Sequence, residues 1–129
     1  MTEPAWVEKD AILLLHAKSL ARFGGLEGLR DDGLLDSALA RPRNAFHYEG
    51  QRDMAALAAA YAFGLARDHP FADGNKRMAF MAIGLFLGAN GWELKAEPVE
   101  AIRAMLALSG GEIGEKEFAA WLTLHVKQF

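Results

Sequence analysis

The organisation of this chain is decided by a polar segment of eleven residues, Arg67-Asp68-His69-Pro70-Phe71-Ala72-Asp73-Gly74-Asn75-Lys76-Arg77. Six of its side chains are ionisable, whereas residues 54–66 before it and 78–89 after it are almost entirely apolar. Long apolar segments are buried in a folded protein, and polar groups between them are unfavourable unless they are paired or bind something. The segment is therefore predicted to connect two packed helices and to form a functional site.

The apolar segments on both sides of residues 67–77 predict two long helices. The preceding one should begin after Asp53. Its many alanines, with Leu57 and Tyr61 among the few larger side chains, allow other helices to approach closely, so we expect it to be central. The following one should run over residues 75–89, and because it is apolar on every face we expect it to be buried on every face.

Helical periodicity and capping residues predict four more helices around this pair. The chain is therefore expected to adopt an all-α fold, a single compact domain over residues 1–129 with about six helices around a buried central helix. Residues 44–50 contain spaced aromatics and predict a small flap or hairpin. The four helices are predicted to begin near Thr2, at Asp31 or Asp32, at Pro98 and near Glu115, and the first three of them to end at Gly24-Gly25, Arg41-Pro42 and Gly110-Gly111.

The composition excludes several classes of protein. The chain has 129 residues, 52% hydrophobic and 24% charged, which is typical of a globular domain. A net charge of −3 and no basic patch outside the polar segment argue against direct nucleic-acid binding, and the absence of cysteine excludes disulfides and thiolate metal sites. The longest uncharged apolar run, 78–92, is shorter than the roughly 20 residues of a membrane span, and no signal peptide is recognisable, so we expect a cytoplasmic protein.

Two features near the N-terminus are interpreted as structural. Residues 24–28, Gly-Gly-Leu-Glu-Gly, have the glycines of a phosphate-binding loop, but they follow a helix rather than a strand, which favours a helix stop and a turn. His16 lies among leucines and is interpreted as a packed or partly exposed helix residue without a catalytic role.

The end of the polar segment places cations at a predicted helix start. The first backbone N–H groups of a helix lack intrahelical partners, and together with the helix dipole they form an anion site. Lys76 and Arg77 lie in this first turn, where each cation is unfavourable by roughly 0.3–1 kcal/mol. A bound polyphosphate would reverse that penalty, so the pattern indicates phosphate binding.

The residues before that helix start supply groups for chemistry. His69 is suited to accept a proton from a hydroxyl near neutral pH. Asp73 could hold Mg²⁺, which prefers one or two carboxylates together with phosphate oxygens. Gly74 would let the backbone approach a phosphate, and Asn75 could cap the helix or bind phosphate. Phe71 is interpreted as an apolar anchor for the loop.

The run from His69 to Arg77 resembles the Fic/Doc signature, H-x-F-x-D-x-N-K-R in its Doc branch. Other segments also sit where death-on-curing toxins have similar ones, so the resemblance covers nearly the whole chain. It implies the all-α Fic/Doc fold and transfer of part of ATP to a protein hydroxyl. It also implies a toxin–antitoxin module of type II with a Phd-like antitoxin. The other segments are Gly24-Gly25, residues 33–39, the alanine-rich helix, Asn90-Gly91 and residues 111–113.

The resemblance assigns roles to the residues of the polar segment. His69 would be the base for the target hydroxyl, and Asp73 would contact Mg²⁺ or take part in catalysis. The phosphate-binding residues implied in this way are Arg67, Gly74, Asn75, Lys76 and Arg77.

The part of ATP that is transferred depends on Lys76 and Phe80. Typical Fic adenylyltransferases read H-x-F-x-D/E-G-N-G-R-x-x-R, and this chain has Lys76 at the second glycine and Phe80 at the last arginine. Both differences resemble Doc, which implies transfer of the γ-phosphate to a threonine of elongation factor Tu and a block of translation. The alternatives are transfer of AMP to a protein hydroxyl and a catalytically inactive helical module that only binds a partner.

Overall fold

The computed structural model describes residues 2–129, which form six α-helices and two short strands. The strands pair antiparallel, with Trp92 opposite Gln128 and Leu94 opposite Val126. The predicted all-α fold of about six helices is confirmed. In chain order the elements are α1 (Lys9–Phe23), α2 (Asp32–Glu49), α3 (Met54–Asp68), α4 (Asn75–Ala89), β1 (Trp92–Leu94), α5 (Pro98–Ser109), α6 (Glu115–His125) and β2 (Val126–Gln128).

The centre of the fold is α3, as its alanine content predicted. Ten of its 15 residues are buried, and it packs against α2, α4 and α6. Alanine and glycine place little volume between helix axes, so several neighbours can approach α3 closely. Leu57, Tyr61 and Leu65 fill the remaining space and are fully buried.

Helices α2 and α3 approach each other closely at Gly64. A Cβ atom added to Gly64 would lie 3.0 Å from both Cα and Cβ of Ala38, closer than carbon atoms normally pack. Glycine inside a helix is otherwise unfavourable by about 0.5–1 kcal/mol relative to alanine. The close approach of the two helices therefore explains why a glycine occupies this position.

Replacing Gly64 by alanine is expected to lower the free energy of unfolding by about 1–3 kcal/mol, because the added methyl group forces α2 and α3 apart. Gly84→Ala in α4 is the matched control. A Cβ there meets no atom of the described chain within 4 Å, so stability should rise by up to about 1 kcal/mol. Urea unfolding of both variants measures the difference, and a Gly64→Ala protein as stable as the wild type would contradict the close approach.

Helix α2 is longer than predicted and takes the place of the predicted flap. It continues through Pro42, so both the predicted helix end at Arg41-Pro42 and the predicted hairpin over residues 44–50 are wrong. Proline removes one helical hydrogen bond. However, Leu39, Pro42 and Phe46 lie on one buried face of a helix that packs against α3. Burial of that face outweighs the lost hydrogen bond and keeps the helix continuous.

The predicted start of α1 near Thr2 is also wrong, because residues 2–8 are not helical. Backbone groups of this segment bond to distant side chains instead. Asn90 accepts a hydrogen bond from the N–H of Ala5 at 2.8 Å and donates one to its carbonyl at 2.9 Å. These tertiary hydrogen bonds replace the helical ones that the prediction assumed.

Helix α4 has the predicted bounds, but the prediction that every face is buried is wrong. Phe80 and Leu85 remain 41% and 37% exposed, whereas Met78 and Ile83 are fully buried. Because α3 occupies the centre of the fold, only one side of α4 meets the core, and its other side carries exposed apolar and glycine residues. Within residues 2–129 no helix is both long enough and apolar enough to cross a bilayer.

Candidate active site

The loop between α3 and α4 is anchored by Phe71. Its side chain is 1% exposed, and its ring stacks on that of His16 with centroids 3.8 Å apart. The predicted role of Phe71 as an apolar anchor is confirmed, and His16 is a packed helix residue, as predicted. His16 does more than pack, because its Nε2 also lies 2.8 Å from the carbonyl oxygen of Asp73.

Asn75 closes the loop on itself. Its Oδ1 accepts a hydrogen bond from the N–H of Phe71 at 2.9 Å, and its Nδ2 donates to the carbonyl of Phe71 at 3.0 Å. The buried amide thus satisfies both backbone groups of a buried residue, as a paired strand would. One N–H of the Asn75 amide remains for another acceptor.

His69 is held in an unusual backbone conformation by a residue from a distant loop. It ends α3 with φ of 52°, and it is the one non-glycine residue with positive φ in the described part of the chain. Arg30 donates from Nε to the carbonyl of His69 at 2.7 Å and from Nη2 to the carbonyl of Asp68 at 2.8 Å. These bonds satisfy carbonyls that the helix end leaves without partners. They leave the imidazole of His69 exposed.

The carboxylate of Asp73 is held by the glycine turn that follows α1. The N–H of Leu26 donates to Oδ2 at 3.2 Å, and the N–H of Gly74 donates to Oδ1 at 2.9 Å. A Cβ at Gly25, where φ is 124°, would lie 2.9 Å from Oδ2, so a side chain there would collide with the carboxylate. The turn predicted over residues 24–28 therefore also positions Asp73.

The same contacts keep Asp73 ionised. Hydrogen bonds from the N–H of Leu26, then of Gly74, lower its pKa, and the positive charge of Arg77 adds to this effect. The carboxylate is therefore negatively charged at neutral pH. Since each oxygen accepts only one of these hydrogen bonds, each retains a lone pair for another ligand.

Asp73→Asn is expected to make stability less sensitive to acid. Because the folded-state pKa of Asp73 is lowered, its contribution to the free energy of unfolding is present above the ordinary pKa of 3.8 and is lost as the pH falls through the lowered value. The variant should melt below the wild type near pH 7 and approach it at a pH well below 3.8. Thermal unfolding at both pH values measures this, and a difference that does not change with pH would contradict the assigned contacts.

A groove of about 550 Å³ lies over the start of α4, and we call it the active-site groove. It brings together six of the seven residues predicted for the site, with the end of α5 forming the opposite wall. The six are His69, Asp73, Gly74, Asn75, Lys76 and Arg77, and the residues from α5 and its end are Leu106, Ser109 and Gly110.

Arg67, the seventh predicted residue, lies outside the active-site groove. Its guanidinium is 5.1 Å from the ring centroid of Phe63 and 3.7 Å from the position of a Cβ at Gly111. Arg67 therefore lies beside the turn between α5 and α6, where it adds positive charge near the groove without lining it.

The start of α4 provides donors for an anion. Gly74 adopts a left-handed conformation with φ of 80°, and the N–H of Met78 donates to its carbonyl as the first helical bond. The N–H groups of residues 75–77 therefore precede the helical hydrogen bonds. Lys76 is exposed beside them, and Arg77 donates to Ser19 Oγ at 3.0 Å with other N–H groups remaining. We call these N–H groups and two cations the anion cradle.

Ser109 is a residue of the active-site groove that sequence reasoning missed. Its Oγ is buried and has no hydrogen-bond partner among residues 2–129. A buried hydroxyl without a partner is unfavourable by about 1–3 kcal/mol. No sequence pattern marks Ser109 as a site residue, because Ser109 lines the groove only through the packing of α5 on α4.

The donor set fits Mg²⁺ only if it is bound together with phosphates. Among residues 2–129 no three His, Cys, Asp or Glu side chains cluster as a metal site would require. Asp73 offers one ionised carboxylate at the edge of the anion cradle. Mg²⁺ commonly binds one or two carboxylates plus substrate phosphates, so the groove suits a nucleotide complex rather than a resident ion.

Comparisons with known proteins agree with this geometry. The model of the Fic/DOC family matches residues 6–87, which include the whole polar segment. The chain is 31% identical over 113 residues to "Protein kinase doc" of Escherichia phage P1, an alignment that covers 88% of this chain and 89% of that protein. It is 44% identical over 85 residues to "Toxin Doc" of Mycolicibacterium smegmatis, covering 65% of each.

Proposed function

The chain belongs to the Fic/Doc family, and from this membership we propose that it is a Doc-like toxin that transfers the γ-phosphate of ATP to a hydroxyl of a protein. The observation that carries the proposal is the active-site groove. It holds an exposed His69, the left-handed Gly74 and the side chain of Lys76 together over one helix start. A base and an anion cradle within one groove are what phosphoryl transfer to a hydroxyl requires.

The proposed reaction uses each part of the groove. The imidazole of His69 takes the proton of the target hydroxyl while that oxygen attacks the γ-phosphorus. The bond from the γ-phosphorus to the oxygen bridging to the β-phosphate breaks, ADP leaves and the phosphate remains on the protein. The anion cradle stabilises the charge on the transferred group. Asp73 is the residue that would hold Mg²⁺, which supplies further charge neutralisation when bound with the phosphates.

Lys76 favours phosphate transfer over AMP transfer. Its side chain lines the active-site groove at the position where Fic adenylyltransferases have glycine. A lysine there occupies space that close approach of the α- and β-phosphates would need, and its charge suits the terminal phosphate. Transfer of AMP is the runner-up, because Gly74 is shared by both patterns.

The partners of the reaction follow from the relatives and the resemblance. The target is proposed to be a threonine of elongation factor Tu, whose modification would block translation. A Phd-like antitoxin is proposed to neutralise the toxin, since one of the relatives is named a toxin. An upstream reading frame that encodes such an antitoxin would support this part of the proposal.

Labelled ATP tests which group is transferred. The purified protein is incubated with a cell extract and ATP labelled at either the α- or the γ-phosphate. We expect label from the γ-position alone on one protein band, and no label with a His69→Ala variant. Label from the α-position alone would show that AMP is transferred and would overturn the proposed kinase activity. If neither label is transferred, the remaining candidate is a catalytically inactive module that only binds a partner.

A further inference from the structure

A second groove, of about 550 Å³, lies between α4 and α5 on the exposed side of α4, and we call it the apolar groove. Its volume is in the range of small-molecule sites. Glu93 is its one ionisable lining residue in the described chain. Among its lining residues are Phe80, Gly84 and Gly88 from α4, Pro98 and Ile102 from α5, and Trp92 from β1.

The apolar groove continues the active-site groove along the same two helices. On α4, Lys76 lines the active-site groove, and Phe80 lies one turn further along in the apolar groove. On α5, Leu106 lines the active-site groove, and Ile102 lies one turn away in the apolar groove. One helical turn advances by about 5–6 Å, so the two grooves adjoin end to end.

Two glycines keep the apolar groove open, although the core does not require them. A Cβ added to Gly84 or Gly88 meets no atom of the described chain within 4 Å. Glycine is unfavourable inside a helix, and core packing at these two positions offers no reason for it. Because neither glycine has a side chain, the groove stays open beside the half-exposed ring of Phe80. A flat aromatic ring of a ligand would fit in that space and stack on Phe80.

We propose that the apolar groove binds the base and ribose of the nucleotide, with the base stacked on Phe80, while the triphosphate reaches back to the anion cradle. This inference rests on the proposed function, and it adds to it a position for the base and ribose of the nucleotide. Aromatic rings hold nucleobases by stacking whatever the base, which suits a groove lined almost wholly by apolar side chains. Ser109, at the end of α5, lines the active-site groove together with the residues of the cradle.

Binding of two ligands to two variants tests the inference. ATP and inorganic tripolyphosphate, each with Mg²⁺, are titrated into the full chain by calorimetry. Gly84→Leu fills the floor of the apolar groove, and we expect it to weaken ATP binding at least tenfold while leaving tripolyphosphate binding unchanged. Ala89→Leu is the control, because Ala89 is exposed on the same helix outside the groove.

The outcomes separate this inference from the proposed function. If Gly84→Leu binds ATP as tightly as the wild type, or loses both ligands equally, the nucleoside does not lie in the apolar groove. The proposed function would stand in that case if Lys76→Ala weakens both ligands. If the wild type binds neither ligand, both proposals fall. Circular dichroism and thermal unfolding establish that each variant is folded.

Discussion

Replacing His69 by alanine is expected to lower the proposed phosphate transfer by about 10²–10⁴-fold, because the target hydroxyl would lose its proposed base. The imidazole is exposed in the active-site groove, and the bonds that Arg30 makes to this position involve only the backbone carbonyl. The variant should therefore bind ATP nearly as the wild type does. Transfer of γ-label and arrest of growth in cells measure the loss.

The left-handed backbone at His69 calls for a second variant. A side chain at φ of 52° is strained for most residues, but asparagine adopts this region more readily. His69→Asn should therefore fold like the wild type and lack activity, whereas His47→Ala, at an exposed position on α2, should keep both. Growth arrest that survives both His69 variants would identify a partner-binding module instead of an enzyme.

Replacing Phe71 by alanine is expected to lower the free energy of unfolding by about 3–5 kcal/mol. The ring is buried against His16, and the backbone of Phe71 is paired to Asn75 and bridged to Leu29. Removing the ring leaves a cavity under the loop that carries the site. Urea unfolding measures the loss.

The Phe71 prediction also links stability to the site. Below the denaturation midpoint, Phe71→Ala should weaken binding of tripolyphosphate, because the loop sets the position of the anion cradle. Tyr48→Ala is the control, since Tyr48 is 84% exposed and its loss should change stability by less than about 0.5 kcal/mol. A Phe71→Ala protein with wild-type stability would show that the loop is held by its polar bonds alone.

The wrong predictions of a helix end at Arg41-Pro42, a hairpin over residues 44–50 and a helix start near Thr2 have the same cause. Proline at position 42 and the aromatics after it are local signals for a helix end and a hairpin, yet Phe46 continues a buried helical face on α3. Thr2 is a suitable cap, yet Asn90 binds the backbone of Ala5 in a segment that is not helical. In both places a tertiary contact outweighs a weak local preference.

The features that the sequence determined by itself are local, because each depends on residues within one short stretch of the chain. The alanine content placed α3 at the centre, and residues 69–77 placed an imidazole, a carboxylate and two cations around one helix start. These features follow from helix periodicity and capping, which act over neighbouring residues. The bounds of α4 could therefore be predicted, and six of the seven residues expected for the site line one groove.

Only the tertiary structure decided what holds that site and what adjoins it. Arg30 reaches His69 across 39 positions, and Leu26 reaches Asp73 across 47. The end of α5 brings the unpaired hydroxyl of Ser109 to the opposite wall. Such contacts depend on how helices pack around α3, and no local pattern of side chains encodes them. The functional groups of residues 67–77 can be identified from that stretch of sequence alone, whereas contacts with distant residues set their geometry.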